Sequence, residues 1–199
     1  MNKRILIKVS AITVMLVALT GCANSLKTGT SSTATPSASP SASPSISITT
    51  ASSLCASSQL AIEAGSGGVA MGTVGVTGMG FKNISTTTCT LKGYPILQML
   101  DSTGHAIPTY VSRGNSFGVS AAPAKVVTLT PGLVAKFDML YHNQTGYGTA
   151  ICPTSTEVEI TPPGSNKSIA FSWKIQPYGG STIQKLQCGD ITVSPVYAP

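Results

Sequence analysis

The chain has 199 residues, 42% of them hydrophobic and 9% charged, where a typical domain carries about 25% charged residues. So low a charge excludes coiled coils, charge-rich disordered chains and acidic or basic tail proteins, and the length suits about one folded domain. The 20 glycines and 13 prolines favour strands and turns over helices, and five cysteines, an odd number, leave at least one with a separate role.

At the start of the chain, Lys3, Arg4 and Lys8 lead into an apolar run over residues 9–19, about half the length needed to span a bilayer. A basic stretch followed by a short apolar core is the pattern of a secretory signal. Leu19-Thr20-Gly21-Cys22 comes next and resembles the lipobox of bacterial lipoproteins. That resemblance implies cleavage before Cys22, a diacylglycerol on its sulfur, and anchoring at the extracytoplasmic face of the cell membrane. Reading Cys22 as an ordinary cysteine in an uncleaved anchor disregards the agreement of basic region, core length and cleavage pattern. Three of the 12 basic residues lie in the signal, so the processed chain keeps 9 basic against 6 acidic residues, a net charge of +3. These basic residues, from Lys27 to Lys185, are scattered without a cluster. That argues against nucleic acid as a partner and for a solvated surface facing anionic lipid and wall polymers.

Residues 23–53 are almost entirely Ser, Thr, Ala and Pro, with the near-repeat Pro36-Ser-Ala-Ser-Pro40-Ser-Ala-Ser-Pro44. Nothing there can bury a core, and recurrent proline biases such a segment toward extended conformations. It reads as a tether whose reach, at roughly 3 Å per residue over about thirty residues, is several nanometres. Three parts follow: a signal peptide over residues 1–21, a lipidated Cys22 with its tether over 22–53, and a folded domain over 54–199.

Within the domain, Val69, Met71, Thr73, Gly75, Thr77, Met79 and Phe81 alternate with smaller residues, and the interleaved glycines suggest a bent or bulged strand. Further strands are predicted over residues 95–101, 106–111, 126–129, 133–141, 157–161, 168–174 and 191–194. Turn sequences separate them, at Asp101-Ser-Thr-Gly104, Thr130-Pro131-Gly132 and Pro162-Pro163-Gly164-Ser165-Asn166. Short strands at about ten-residue intervals, with no long amphipathic helix, predict an all-β two-sheet sandwich. Trp173, with Ile169 and Phe171 on its face, is expected in the core rather than stacked on a ligand. Cys55, Cys89, Cys152 and Cys188 form an even set in an exported chain and read as two disulfides. Three connectivities are open; Cys55 with Cys89 and Cys152 with Cys188 is preferred, since each bridge then closes a loop within one half of the domain. No two of these cysteines have the short spacing of a zinc ligand pair.

The segment Phe81-Lys-Asn83-Ile-Ser85-Thr-Thr-Thr-Cys89-Thr-Leu91-Lys-Gly93-Tyr94-Pro95, with Leu100-Asp101 and the Gly104 turn, resembles the hallmark of a domain family of unknown function. That family is found in secreted and lipid-anchored proteins of Gram-positive bacteria, mostly actinobacteria. Cys55, Leu60, the residue 127–132 turn, Cys152-Pro153, Pro163-Gly164 and Cys188 extend the likeness over nearly the whole domain. The resemblance implies an immunoglobulin-like antiparallel sandwich and no assigned reaction, so no catalytic residues are carried over. Physically, Asn83 and Ser85 suit a turn, Cys89 would tie that turn to the domain's start, and Gly93-Tyr94-Pro95 would lead the chain into the next strand.

The sharpest enzyme-like signal is Gly114-Asn-Ser116-Phe-Gly118, which fits the G-x-S-x-G elbow, with Asp138 and His142 following in triad order. The elbow needs a strand, a strained turn and a helix, whereas Pro123 comes soon after and helical periodicity is absent. A polar surface loop is therefore expected there. Met71, Met79, Met99 and Met139 read as core filler, not copper ligands. Glu157 and Glu159 read as the solvated face of one strand, and six carboxylates in all are too few for a calcium cage. The expected function is a membrane-tethered, extracytoplasmic binding module without cofactor or metal, its partner a cell-wall polymer or an envelope protein. The alternatives are an exported serine hydrolase using Ser116 and a plain envelope spacer. Loops over residues 113–123 and 142–150 are the places to look for a pocket.

Overall fold

A computed structural model describes residues 52–115, 118–147 and 150–199. The signal, Cys22, the tether up to Ala51, and Ser116 lie outside the described residues. The domain is all-β. Its strands are β1 (Leu60–Glu63), β2 (Ser66–Ala70), β3 (Thr73–Asn83), β4 (Cys89–Leu91), β5 (Ile96–Leu100), β6 (Tyr110–Arg113) and β7 (Val127–Leu129). They continue with β8 (Val134–His142), β9 (Thr154–Ser155), β10 (Glu157–Thr161), β11 (Ile169–Ser172), β12 (Gln176–Pro177), β13 (Leu186–Gln187) and β14 (Asp190–Val193).

A seven-stranded sheet runs in the order β12-β2-β3-β8-β14-β6, with β1 also paired to β3. A three-stranded sheet, β11-β10-β5, and two short pairs, β13-β9 and β4-β7, complete the sandwich-like arrangement. The inward residues of these sheets meet in one core. Phe81 and Phe137 stack at 5.4 Å, and Val76, Met79, Met139 and Ile191 join them with Leu97, Met99, Val158 and Ile160 from the smaller sheet. Trp173 is buried at the end of this core, edge-on to Tyr141 and Phe171, as the sequence predicts. Cys55–Cys89 and Cys152–Cys188 are bridged, at sequence separations of 34 and 36.

Several boundaries differ from the sequence reading, each for a local reason. Residues 69–81 form two strands, not one: Met71 and Gly72, with φ of 48° and 80°, make a two-residue turn between β2 and β3. Positive φ at both positions matches the right-handed twist of a hairpin. Met71 is consequently 92% exposed at the turn tip, while Met79, Met99 and Met139 fill the core. Within β3 the inward set changes parity, from Val74 and Val76 to Met79, Phe81 and Asn83. A bulge between Val76 and Met79, where Gly78 takes φ 70°, inserts the extra residue that causes this. The strand expected over 106–111 begins later, at Tyr110, because Pro108 has no N–H to give a ladder. The sheet is also not purely antiparallel: β12 pairs with β2, and β6 with β14, in parallel. Both partners come from distant parts of the chain, so no local signal encodes the direction.

Candidate functional site

A recess lies where β5 and β6 part company. At the closed end, the Asp101 carboxylate accepts hydrogen bonds from the Thr103 and His105 N–H groups at 2.8 and 2.9 Å and from the Thr103 hydroxyl at 2.7 Å. Those bonds hold its pKa below the usual carboxylate range, the Thr103 hydroxyl contributing most. Past this turn the chain returns beside β5 for a few residues only. The Ile107 N–H reaches the Met99 carbonyl at 3.0 Å, and the Gln98 amide clips the Ile107 carbonyl and the Thr109 hydroxyl at 2.7 and 3.1 Å. Beyond that clip the strands diverge. β5 stays with β10 in the three-stranded sheet, while β6 crosses to β14 at the end of the seven-stranded sheet.

The gap between them is a cleft of about 730 Å³, whose walls include Lys92, Tyr94, Ile96, Gln98, Val111 and Arg113. The Arg113 guanidinium lies 5.1 Å from the centre of the Tyr94 ring, within range of a cation–π contact. The Tyr94 hydroxyl reaches the Ala122 carbonyl at 3.4 Å, and the Val196 N–H donates to the Gly93 carbonyl at 2.8 Å, which fixes this approach to β5. Lys92 and Arg113 are both exposed, and among the described residues no carboxylate lines the cleft. The recess therefore offers two cations, an aromatic face and strand backbone.

These residues are scattered in sequence, and the folding brings two of the dispersed cations together. Residues 113–123 contribute Arg113 to the cleft, while Ser120, Ala122 and Pro123 line a separate apolar depression of about 400 Å³ with Val126 and Pro195. In the other loop of interest, His142 stacks on Tyr147 at 4.3 Å, and the Tyr147 hydroxyl donates to the Met71 carbonyl at 2.5 Å.

Of the three residues in triad order, Ser116 lies outside the described residues, and Asp138 and His142 do not pair with each other among them. Asp138 accepts from the Gly78 N–H at 2.9 Å and from the Tyr197 hydroxyl at 2.8 Å. Burial and the Asp138 carboxylate together push the Tyr197 pKa up, so this phenol keeps its proton. His142 Nδ1 is buried and meets no partner among the described residues, whereas a triad needs the carboxylate on that nitrogen. Glu157 and Glu159 lie on the outward face of β10, and Glu157 accepts from the Ser172 hydroxyl at 2.8 Å.

Asn83, the centre of the expected turn, is buried and spends its whole side chain on backbone and neighbours. Its amide nitrogen donates to the Thr87 and Leu129 carbonyls at 2.8 and 2.9 Å. Its oxygen accepts from the Ser85 N–H and hydroxyl at 2.9 and 2.8 Å. The Cys55–Cys89 bridge closes beside it, with the Cys55 N–H on the Thr90 carbonyl at 3.0 Å. The hallmark segment thus has two ends with different roles, a sealed corner at residues 83–91 and a cleft wall at residues 92–95. The cleft wall gives no sequence signal of its own, because Lys92 and Tyr94 gain meaning only opposite Arg113.

The family model described as Domain of unknown function (DUF4232) matches residues 55–197. No curated protein and no solved structure gives a match.

Proposed function

Because the chain belongs to the DUF4232 family, whose description assigns no reaction or ligand, the reading rests on its own residues, and we propose a non-enzymatic binding module. In this reading the module has an immunoglobulin-like sandwich and is held at the extracytoplasmic face of the cell membrane by a lipid on Cys22. The tether carries it outward, and the cleft between β5 and β6 receives an anionic group of a wall polymer or envelope protein. One observation carries the proposal: Lys92 and Arg113 face the same recess, and among the described residues no carboxylate lines it. Two cations set near an aromatic ring and low-dielectric strand walls attract negative charge more strongly than the same cations on an open surface.

The test is capture of solubilised envelope components by the full-length protein, compared with a Lys92→Glu, Arg113→Glu variant of equal thermal stability. Loss of a component that wild type captures is the expected result. Identical capture by both proteins would place binding elsewhere. The anchor is checked separately by mass spectrometry, with a lipid-modified Cys22 expected in wild type and an unmodified, freely soluble chain counting against it. Esterase rates of wild type and Ser116→Ala should be equal and at background.

A further inference from the structure

Two walls of the cleft are strand edges, β5 beyond the Gln98 clip and β6, that pair with no further strand on the cleft side among the described residues. In a strand, the N–H and C=O of one residue point to one side and those of the next to the other. Met99 turns its N–H to the Thr109 hydroxyl at 3.0 Å and its carbonyl to the Ile107 N–H at 3.0 Å, both away from β10. Two residues earlier, Leu97 has the same parity, so its peptide groups also face away from β10, on the side of the cleft it lines. On β6 the parity is equally clear. Tyr110 donates to the Gly189 carbonyl at 2.7 Å and Gly114 to the Val193 carbonyl at 2.8 Å, toward β14. Val111 and Arg113, between them in alternation, turn their N–H and C=O away from β14, and both line the cleft.

From these edges we infer that the cleft is a strand-addition site for an extended acidic segment of another envelope protein. The inference rests on the reading of the cleft as a binding site. Such a segment would lie between β5 and β6, exchange backbone hydrogen bonds with Leu97, Val111 and Arg113, and set a carboxylate against Lys92 and Arg113. Strand addition takes its affinity from main-chain bonds and its specificity from alternate side-chain contacts. Charge also argues for a foreign segment. The tether at residues 23–53 contains no Asp or Glu. Of the chain's carboxylates, Asp138, Glu157, Glu159 and Asp190 are on strands already paired on both sides, and Asp101 is tied into its turn. Glu63, on an edge strand, is ion-paired to Lys82 at 2.9 Å.

The experiment is residue-resolved amide hydrogen exchange on the full-length protein, with a pool of synthetic seven-residue peptides that alternate Val and Thr and carry one Asp scanned along the sequence. A binding peptide should slow exchange at Leu97, Val111 and Arg113 at least about tenfold and leave Tyr110 and Ser112 unchanged. Nα-methylation of that peptide's central residues should weaken binding about tenfold. Val111→Pro removes one cleft-facing N–H while sparing the bonds to β14, and should weaken binding similarly. The methylated peptide tests the same point even if that variant folds poorly. Three results would overturn the inference: no peptide in the pool protects these amides; inorganic polyphosphate competes for Lys92 and Arg113 without amide protection; or protection arises without peptide as protein concentration rises, which would make a second copy the occupant. If envelope capture still depends on Lys92 and Arg113 in any of these cases, the binding-module reading survives. If that dependence is absent, the underlying reading fails first.

Discussion

The Asn83 corner and the β5/β6 cleft lie on either side of one hallmark segment, yet they treat polar groups in opposite ways. At the corner, each capacity of a buried amide side chain is used, and a disulfide seals the loop around it. At the cleft, strand backbone faces a recess of about 730 Å³ and two exposed cations share it without a carboxylate. Burying polar groups is tolerated when they are satisfied and costly when they are not. A region that closes every bond stabilises the fold, whereas one that leaves strand edges and charge unmatched gives up local stability and keeps its bonding capacity for something else. The contrast can be broken by measurements of unfolding free energy, which should fall steeply for changes at the corner and hardly at all for changes in the cleft.

The largest loss is expected from replacing Cys55 and Cys89 together by Ser. The bridge spans a sequence separation of 34, and freeing a loop of that size should lower the unfolding free energy by about 3.5 to 4 kcal/mol in the chain-entropy model. Chemical denaturation checks this; a loss below about 1 kcal/mol would mean that the corner is held by its packing and hydrogen bonds alone. Next comes Asn83→Ala, which takes one donor each from the Leu129 and Thr87 carbonyls and leaves the Ser85 N–H without its acceptor. About 2 kcal/mol is expected, from the several hydrogen bonds that one buried amide side chain makes. A change under about 0.5 kcal/mol would show that water replaces the amide and that the corner is not sealed.

A smaller effect is expected from the turn that closes the cleft's far end, and it depends on pH. The Asp101 pKa is depressed in the folded protein, chiefly by the Thr103 hydroxyl and then by the His105 and Thr103 N–H groups. Folding with a depressed pKa means that the unfolded chain binds the proton more readily. The contribution is therefore fully present above the unfolded value of about 3.9 and is lost as pH falls through the lower folded value. Wild type and Asp101→Ala should differ in melting temperature at neutral pH by less than the Asn83 variant does, and the two curves should converge in acid. Because the carboxylate is exposed, salt should reduce only its small charge-dependent part. A difference that persists unchanged in acid would assign the turn's stability to backbone geometry alone.

How legible the molecule is from its sequence follows the range of the interactions. The strand Glu157–Thr161 agrees with its expected bounds, and the turns at Gly104, Gly132 and Gly164 all use positive φ at the glycine the sequence offers. These are local choices of chain conformation, and residue type encodes them directly. The preferred pairing of the four domain cysteines is also the one formed. Legibility fails where a local rule is overridden by a partner far away. The parity of β3 resets at Gly78, so a single alternation over residues 69–81 puts Met71 and Thr73 on a face they do not share with Met79. The parallel pairs β12·β2 and β14·β6 join segments about 110 and 80 residues apart, and no residue pattern fixes direction at that range. The cleft is of the same kind. It needs Lys92 from one end of a loop, Arg113 from the last strand of the large sheet and Pro163 from a third turn, none of which is a motif alone.

The smallest expected effect tests whether the cleft, like the corner, supports the fold. Arg113→Ala removes a guanidinium that touches the Tyr94 ring from an exposed position. If the cleft were a structural seam like the corner, this residue would hold β6 against the wall at residues 92–95, and truncating it would cost as much as losing Asn83. Its geometry argues otherwise. β6 is held by β14 through the Tyr110 and Gly114 N–H groups, and an exposed cation–π contact contributes at most about 0.5 to 1 kcal/mol. The unfolding free energy of Arg113→Ala should therefore lie within about 0.5 kcal/mol of wild type, since solvent already screens most of that contact. A loss of about 2 kcal/mol would reverse the comparison with the corner. It would make the cation a support of the sandwich, as Asn83 is of the corner. A near-zero change, beside the large losses at Cys55, Cys89 and Asn83, would mean that the fold does not depend on this charge, which keeps the cleft and the corner on opposite sides of the comparison.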